Sequence, residues 1–129
     1  MKEDDFMCVF CEKVKENNVF LYSDELVVAF YDKYPVNKGH VLIVPRRHAI
    51  DYFEASLDEK RSIDTAIVHL KRILDEEYKP DGYNIGINCG KAAGQTVFHL
   101  HVHLIPRYKN DMDDPRGGVR GVIPHKQKY

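Results

Sequence analysis

Three of the chain's seven histidines fall together in His99-Leu-His101-Val-His103, each followed by an apolar residue. In an extended strand successive side chains point to opposite faces, so the three imidazoles share one face and Phe98, Leu100, Val102 and Leu104 the other. The rings then stand about 7 Å apart along the strand. A half-buried strand fills its outer face with Thr, Lys, Ser and Glu; a row of titratable rings has no packing use, and the pattern points to chemistry. Imidazole is a competent nucleophile near neutral pH, because its ordinary pKa of about 6.5 leaves the neutral ring well populated.

The flanking residues narrow the chemistry. Asn88-Cys-Gly90-Lys-Ala-Ala-Gly94-Gln95-Thr96 is a turn-rich loop leading into the histidine segment, and its backbone N–H groups and short polar side chains suit an anion. Upstream stands Gly39-His40-Val-Leu-Ile-Val-Pro45. With both segments the chain resembles the histidine triad (HIT) family of nucleotide-binding proteins. That family's pattern, His-apolar-His-apolar-His followed by two apolar residues, is met at every position from His99 to Ile105, and the resemblance runs from about Cys8 to Arg107.

The resemblance implies that His101 attacks the α-phosphorus of a nucleotide and forms a nucleotidyl-histidine, which water hydrolyses. The attacking nitrogen stays unprotonated only if the other ring nitrogen is fixed as a donor, and position suggests the carbonyl of His99 as its acceptor. His103 is expected at the phosphate or leaving group, helping to move its proton. Asn88 and Thr96 occupy positions that contact phosphate oxygens in the family, and backbone N–H groups near Gln95 to Val97 are expected to stabilise the developing charge. Asp32, eight residues before His40, stands where the family places a ribose-binding Asp or Asn. Phe10, Phe30 and Ile43 are candidates to wall the base, with core packing the competing use of each.

Cys8-Val-Phe-Cys11 supplies half of a tetrahedral zinc site. Some bacterial members of the family, and the related galactose-1-phosphate uridylyltransferases, pair such cysteines with a histidine shortly after the Gly-His strand and with the first triad histidine. That assigns Cys8, Cys11, His48 and His99 to a closed, structural zinc. His40 is grouped with the catalytic histidines, at one remove from the substrate. Cys89 has no evident metal partner, and its expected role is packing.

These residues need a scaffold. Val19 to Tyr22, Glu25 to Tyr31, His40 to Pro45, Tyr83 to Asn88 and Phe98 to Pro106 read as strands. Ser56-Leu-Asp-Glu59 is a capping box, after which Ile63, Ile67, Leu70, Leu74 and Tyr78 recur at helical spacing up to Lys79-Pro80. A short helix is expected over Phe10 to Glu16. The class is α+β, a five-stranded antiparallel sheet with one long helix and a short N-terminal one, in a single domain over residues 1–129 with an irregular tail over 108–129. The resemblance adds a homodimer whose sheets join across the two-fold axis, and a helix burying its apolar residues on its own sheet is the competing arrangement.

Composition sets bounds. With 43% apolar and 30% charged residues in 129, the chain suits one globular core, and a formal net charge of −1 supplies no field for long nucleic acid. The acidic opening Met1-Lys-Glu-Asp-Asp is unlike a signal peptide, and no apolar run approaches the ~18 residues of a membrane helix. Three cysteines are too few and too unevenly placed for a disulfide framework, so a cytoplasmic protein without membrane partners is expected. Three functions stay open at this point: a nucleotide hydrolase acting on a purine nucleoside phosphoramidate, an adenylylated leaving group or a dinucleoside polyphosphate; a metal enzyme using the H-x-H strand; and a nucleotide-binding protein with little turnover. Arg116 and Arg120 in the tail are candidates to cover a polyphosphate, or are plain surface arginines.

Overall fold

The computed structural model describes residues 8–16 and 19–129; the acidic opening lies outside them. Helix α1 spans Val9–Lys15 and α2 spans Leu57–Tyr78. Strands β1 (Tyr22–Ser23), β2 (Val27–Tyr31), β3 (Val41–Pro45), β4 (Gly82–Gly86) and β5 (Val102–Arg107) form one antiparallel sheet in the order β1-β2-β3-β5-β4. The expected α+β class and five-stranded sheet are present.

The capping box closes as its sequence requires. The Glu59 amide donates to Ser56 Oγ at 3.0 Å, and the Ser56 amide donates to Glu59 Oε1 at 2.8 Å. Lys79 ends the helix in the left-handed conformation just before Pro80. Between these caps Ile63, Ala66, Leu70 and Leu74 form one buried stripe against Val27 and Ala29 of β2, Val41 and Ile43 of β3, and Val102 and Leu104 of β5. Ile43 is thus part of the core and does not wall a base. Among the described residues no helix is long and apolar enough to cross a membrane.

The opposite face of the sheet carries the candidate site. The cross-strand pairs Phe30↔Leu42, Leu42↔His103 and Gly86↔His103 lay one row across β2, β3, β5 and β4. Gly39 seats the start of β3, because with φ of 88° and an added Cβ 3.0 Å from Tyr78 Cδ2 only glycine delivers His40 there.

Strand limits differ from the sequence reading, most usefully at β5. It begins at Val102, so only His103 lies in the ladder, and His99 and His101 sit in the segment leading into it. Continuing the register past Ile43↔Val102 would pair Val44 with His101 and then Pro45 with Leu100, but the Pro45 carbonyl is taken by the His99 ring and the Leu100 amide by Ala49 O. At the other end of the sheet, Asp24 Oδ1 accepts from the Leu26 and Val27 amides at 2.8 Å each, which starts β2 two residues later than Glu25. The tail holds two short 3-10 helices, Gly118–Val122 and Pro124–Lys126. Arg120 donates to the carbonyls of Lys126 and Gln127, so it staples the tail to itself.

Candidate active site and metal centre

The segment carrying His99 and His101 is pinned to the exit of β3 by three hydrogen bonds. The Leu100 amide donates to Ala49 O at 2.7 Å, Gln95 Nε2 to Ile50 O at 2.7 Å, and the His99 ring to Pro45 O through Nε2 at 2.7 Å. Because a carbonyl only accepts, the His99 proton is on Nε2 and the lone pair on Nδ1. That lone pair faces Cys8 Sγ and Cys11 Sγ, both at 3.4 Å, while His48 Nδ1 lies 3.0 Å from Cys11 Sγ. The four ligand atoms lie within 4.8 Å of one another. A tetrahedral zinc with Zn–S of about 2.3 Å and Zn–N of about 2.0 Å sets neighbouring S and N ligands about 3.5 Å apart, and the cluster fits a Cys2His2 site. The first cysteine also begins α1, whose Cys11 amide donates to Cys8 Sγ at 3.3 Å. On the far side of His48, Arg47 donates to Glu59 at 2.8 Å and to Glu54 O at 2.8 Å, fixing that loop to the head of α2.

The same donor–acceptor rule gives the state of the other rings. His101 Nδ1 lies 2.9 Å from the His99 carbonyl, so Nδ1 carries the proton and Nε2 presents the lone pair. The Val36 amide donates to His40 Nδ1 at 3.0 Å, which puts the proton of the neutral ring on Nε2. His40 Nε2 then donates to His103 Nδ1 at 2.9 Å, leaving His103 with its proton on Nε2. His40 is buried, and its ring contacts His103. Asp32 Oδ2 lies 3.5 Å from His40 Nε2, and Asp32 Oδ1 accepts from the Tyr34 amide at 2.9 Å. Asp32, His40 and His103 also bring three ligand atoms together, but the Val36 amide on Nδ1 demands a proton on the nitrogen that would bind the ion. This trio is a hydrogen-bond chain. Among the described residues the two clusters of possible ligands include His99 and His103 but not His101.

Burial depresses the His103 pKa to about 4, with the neighbouring His101 and His40 adding to the shift and Asp32 opposing it. Burial lowers that of His40 too, against the same carboxylate. The consequence for stability has a defined sign. A ring that stays neutral in the fold to about pH 4 but binds a proton in the unfolded chain near 6.5 adds nothing above 6.5 and destabilises as pH falls from there to 4. Urea unfolding of the parent should lose about 2 kcal/mol more across that interval than His103→Asn. Equal losses in the two proteins would show that His103 does not carry this proton linkage.

Phe10 packs beside His101, its ring centroid 5.0 Å from His101, 6.2 Å from His99 and 6.0 Å from Phe30. The loop expected to meet a phosphate runs from Asn88 to Val97. Thr96 is exposed, Asn88 and Val97 are half-buried, and the amides of Thr96 and Val97 are taken up by no other described residue. Gln95 departs from expectation. Its amide donates to Gly90 O, its Oε1 accepts from the Gly90 amide at 2.8 Å, and its Nε2 serves Ile50 O and Val97 O. Fully engaged and 2% exposed, it braces the loop and has nothing left for a phosphate.

Sequence reasoning missed the groups that set these tautomers, the carbonyl of Pro45 and the amide of Val36. Backbone groups carry no residue signature; the one signal was Pro45 itself, at the end of a strand where a ladder must stop.

Residues 13–110 match the HIT domain family, and the chain belongs to it. It is 37% identical over 124 residues to an uncharacterized HIT-like protein of Saccharolobus solfataricus, covering 95% of this chain and 86% of that one. It is 30% identical to the adenylylsulfatase HINT3 of Arabidopsis thaliana over 81% of this chain, spanning about half (54%) of that protein. The fold matches the crystal structure of a Zn-bound histidine triad family protein from Mycobacterium smegmatis, with a TM-score of 0.74 and 34% identity, covering 83% of this chain and 79% of the other.

Proposed function

We propose that this protein is a nucleotide hydrolase acting at the α-phosphate of a purine nucleoside phosphoramidate, a dinucleoside polyphosphate or an adenylylated acid, through a covalent nucleotidyl-His101. The observation that carries this reading is the His101 ring, held with its proton on Nδ1 against the His99 carbonyl and its lone pair on Nε2. In the first step the Nε2 lone pair forms a bond to phosphorus and the bond from phosphorus to the leaving group breaks. The positive charge arriving on the ring is stabilised through Nδ1–H by the carbonyl. His103 offers Nε2–H as a hydrogen bond to the departing atom, which draws its proton from solvent, and His40 holds the ring in that tautomer. In the second step water attacks phosphorus, the P–N bond breaks, His101 regains its lone pair, and the proton of the attacking water leaves to solvent. Thr96, Asn88 and the Thr96 and Val97 amides are our candidates for the phosphate oxygens, and Phe10 and Phe30 for the base.

Cys8, Cys11, His48 and His99 would hold a structural zinc, whose contribution is to fix α1 and the His99 ring. We also read the protein as cytoplasmic, where its thiols stay reduced, and as a homodimer. Ile85 on the edge strand β4 and Val68 on α2 are about half exposed, surfaces a second copy would cover and sedimentation would detect.

A panel of adenosine phosphoramidate, diadenosine tetraphosphate and adenylyl sulfate tests the reaction class, the last motivated by the HINT3 relative. Tight binding without turnover on any of them would favour the binding-protein reading. Within the panel, Asp32 is our ribose selector. Asp32→Ala should weaken ribonucleotides at least about tenfold more than their 2′-deoxy forms, since a lost carboxylate acceptor matters only where the hydroxyl exists. An equal loss on both would assign Asp32 to the His40 chain alone.

A further inference from the structure

Phe10 lies in the two-residue gap between Cys8 and Cys11, so one short segment supplies half of the metal site and a ring beside His101. Helix α1 is seven residues long, and Cys11 is its one buried residue. A helix of this length has no stability of its own in water, because nucleation is not offset before about 12–15 residues. Among the described residues its contacts with the body include the cysteines at His48 and His99, the Phe10 ring at Phe30 and the two histidines, and Lys13 Nζ 5.3 Å over the Phe30 ring. A half-exposed aromatic contact and a surface cation do not hold so short a helix in place; four N and S ligands do.

We propose that the metal centre is the clamp of the nucleobase wall, so that zinc and nucleotide bind cooperatively through Phe10. This rests on the nucleotide reading above. Without the metal, ordering α1 subtracts from nucleotide affinity; with it, Phe10 is in place beforehand. Linkage makes the effect reciprocal, and bound nucleotide tightens zinc by the factor by which zinc tightens nucleotide. A second route runs from the metal through the His99 ring and carbonyl to His101, and it fixes a tautomer without needing Phe10. The two routes are separable by one side chain.

The experiment uses AMP as the probe on the full chain. Zinc affinity is measured by competition with a chromogenic chelator, with and without saturating AMP, and AMP affinity by calorimetry on zinc-loaded and zinc-stripped protein. AMP should tighten zinc about tenfold, stripping should weaken AMP by the same factor, and Phe10→Ala in loaded protein should weaken AMP comparably. In Phe10→Ala, AMP should no longer change zinc affinity, while zinc affinity without AMP stays within about twofold of the parent. Circular dichroism of α2 shows whether stripped protein is folded. If it is not, the Phe10→Ala arm still decides, because coupling through global folding survives that substitution and coupling through Phe10 does not. Equal AMP affinity with and without zinc, or full coupling in Phe10→Ala, overturns the clamp and leaves the nucleotide reading intact. No AMP binding to loaded parent overturns the nucleotide reading and the clamp together.

Discussion

His101→Ala should hydrolyse the best substrate of the panel at least about 10³-fold more slowly than the parent while binding AMP within about tenfold of it. The two halves of this expectation come from different atoms. The proposed nucleophile is one nitrogen, Nε2 of a ring whose other nitrogen is committed to the His99 carbonyl at 2.9 Å, and neither neighbouring histidine is placed to replace it. His103 is occupied on Nδ1 by His40 Nε2, and the His99 lone pair faces two sulfurs. The groups proposed for phosphate, ribose and base are all on other residues, so deletion of one ring leaves most of the binding surface standing. Intact-mass analysis of quenched parent should find a covalent nucleotidyl adduct that His101→Ala lacks. A variant retaining a rate within tenfold of the parent would sink the covalent mechanism.

What the sequence disclosed and what it withheld divide along a physical line. Side-chain patterns were legible: the Ser56–Glu59 box, the apolar stripe of α2 and the Cys8-x2-Cys11 pair each announce a local geometry, and each is found. The family resemblance then paired distant ligands, His48 and His99 with the two cysteines, which spacing alone left open. The sequence withheld whatever depends on where a backbone group ends up. That Gln95 turns inward to lace the loop, that the Val36 amide sets the tautomer of the buried His40, and that β5 starts at Val102 all follow from carbonyls and amides common to every residue. Period-two alternation, extended through the triad, overshot because Pro45 and its carbonyl were already engaged.

The second large effect concerns the metal. Protein purified without a histidine tag should contain about one zinc per chain, because two thiolates and two imidazoles complete a tetrahedron. Catalysis should then need no added metal, since a closed site leaves no position for substrate. Thiolates must shed protons to bind and the unfolded chain lacks the assembled site, so metal binding contributes to folding and is lost to chelator and to acid. The sheet and α2 retain their own core without α1, so Cys8→Ser should cost part of a full zinc-site stabilisation, about 3 kcal/mol or about 10 °C in Tm. His99→Ala should share that loss and, by removing the ring that ties the segment to Pro45 O, exceed it. His101→Ala contributes no ligand and should melt near the parent. That contrast between neighbours two residues apart separates a metal site from general sensitivity of the segment. Absence of zinc, with all three thiols titrating freely in the folded protein, would reduce the cluster to a packed cysteine pair beside two histidines.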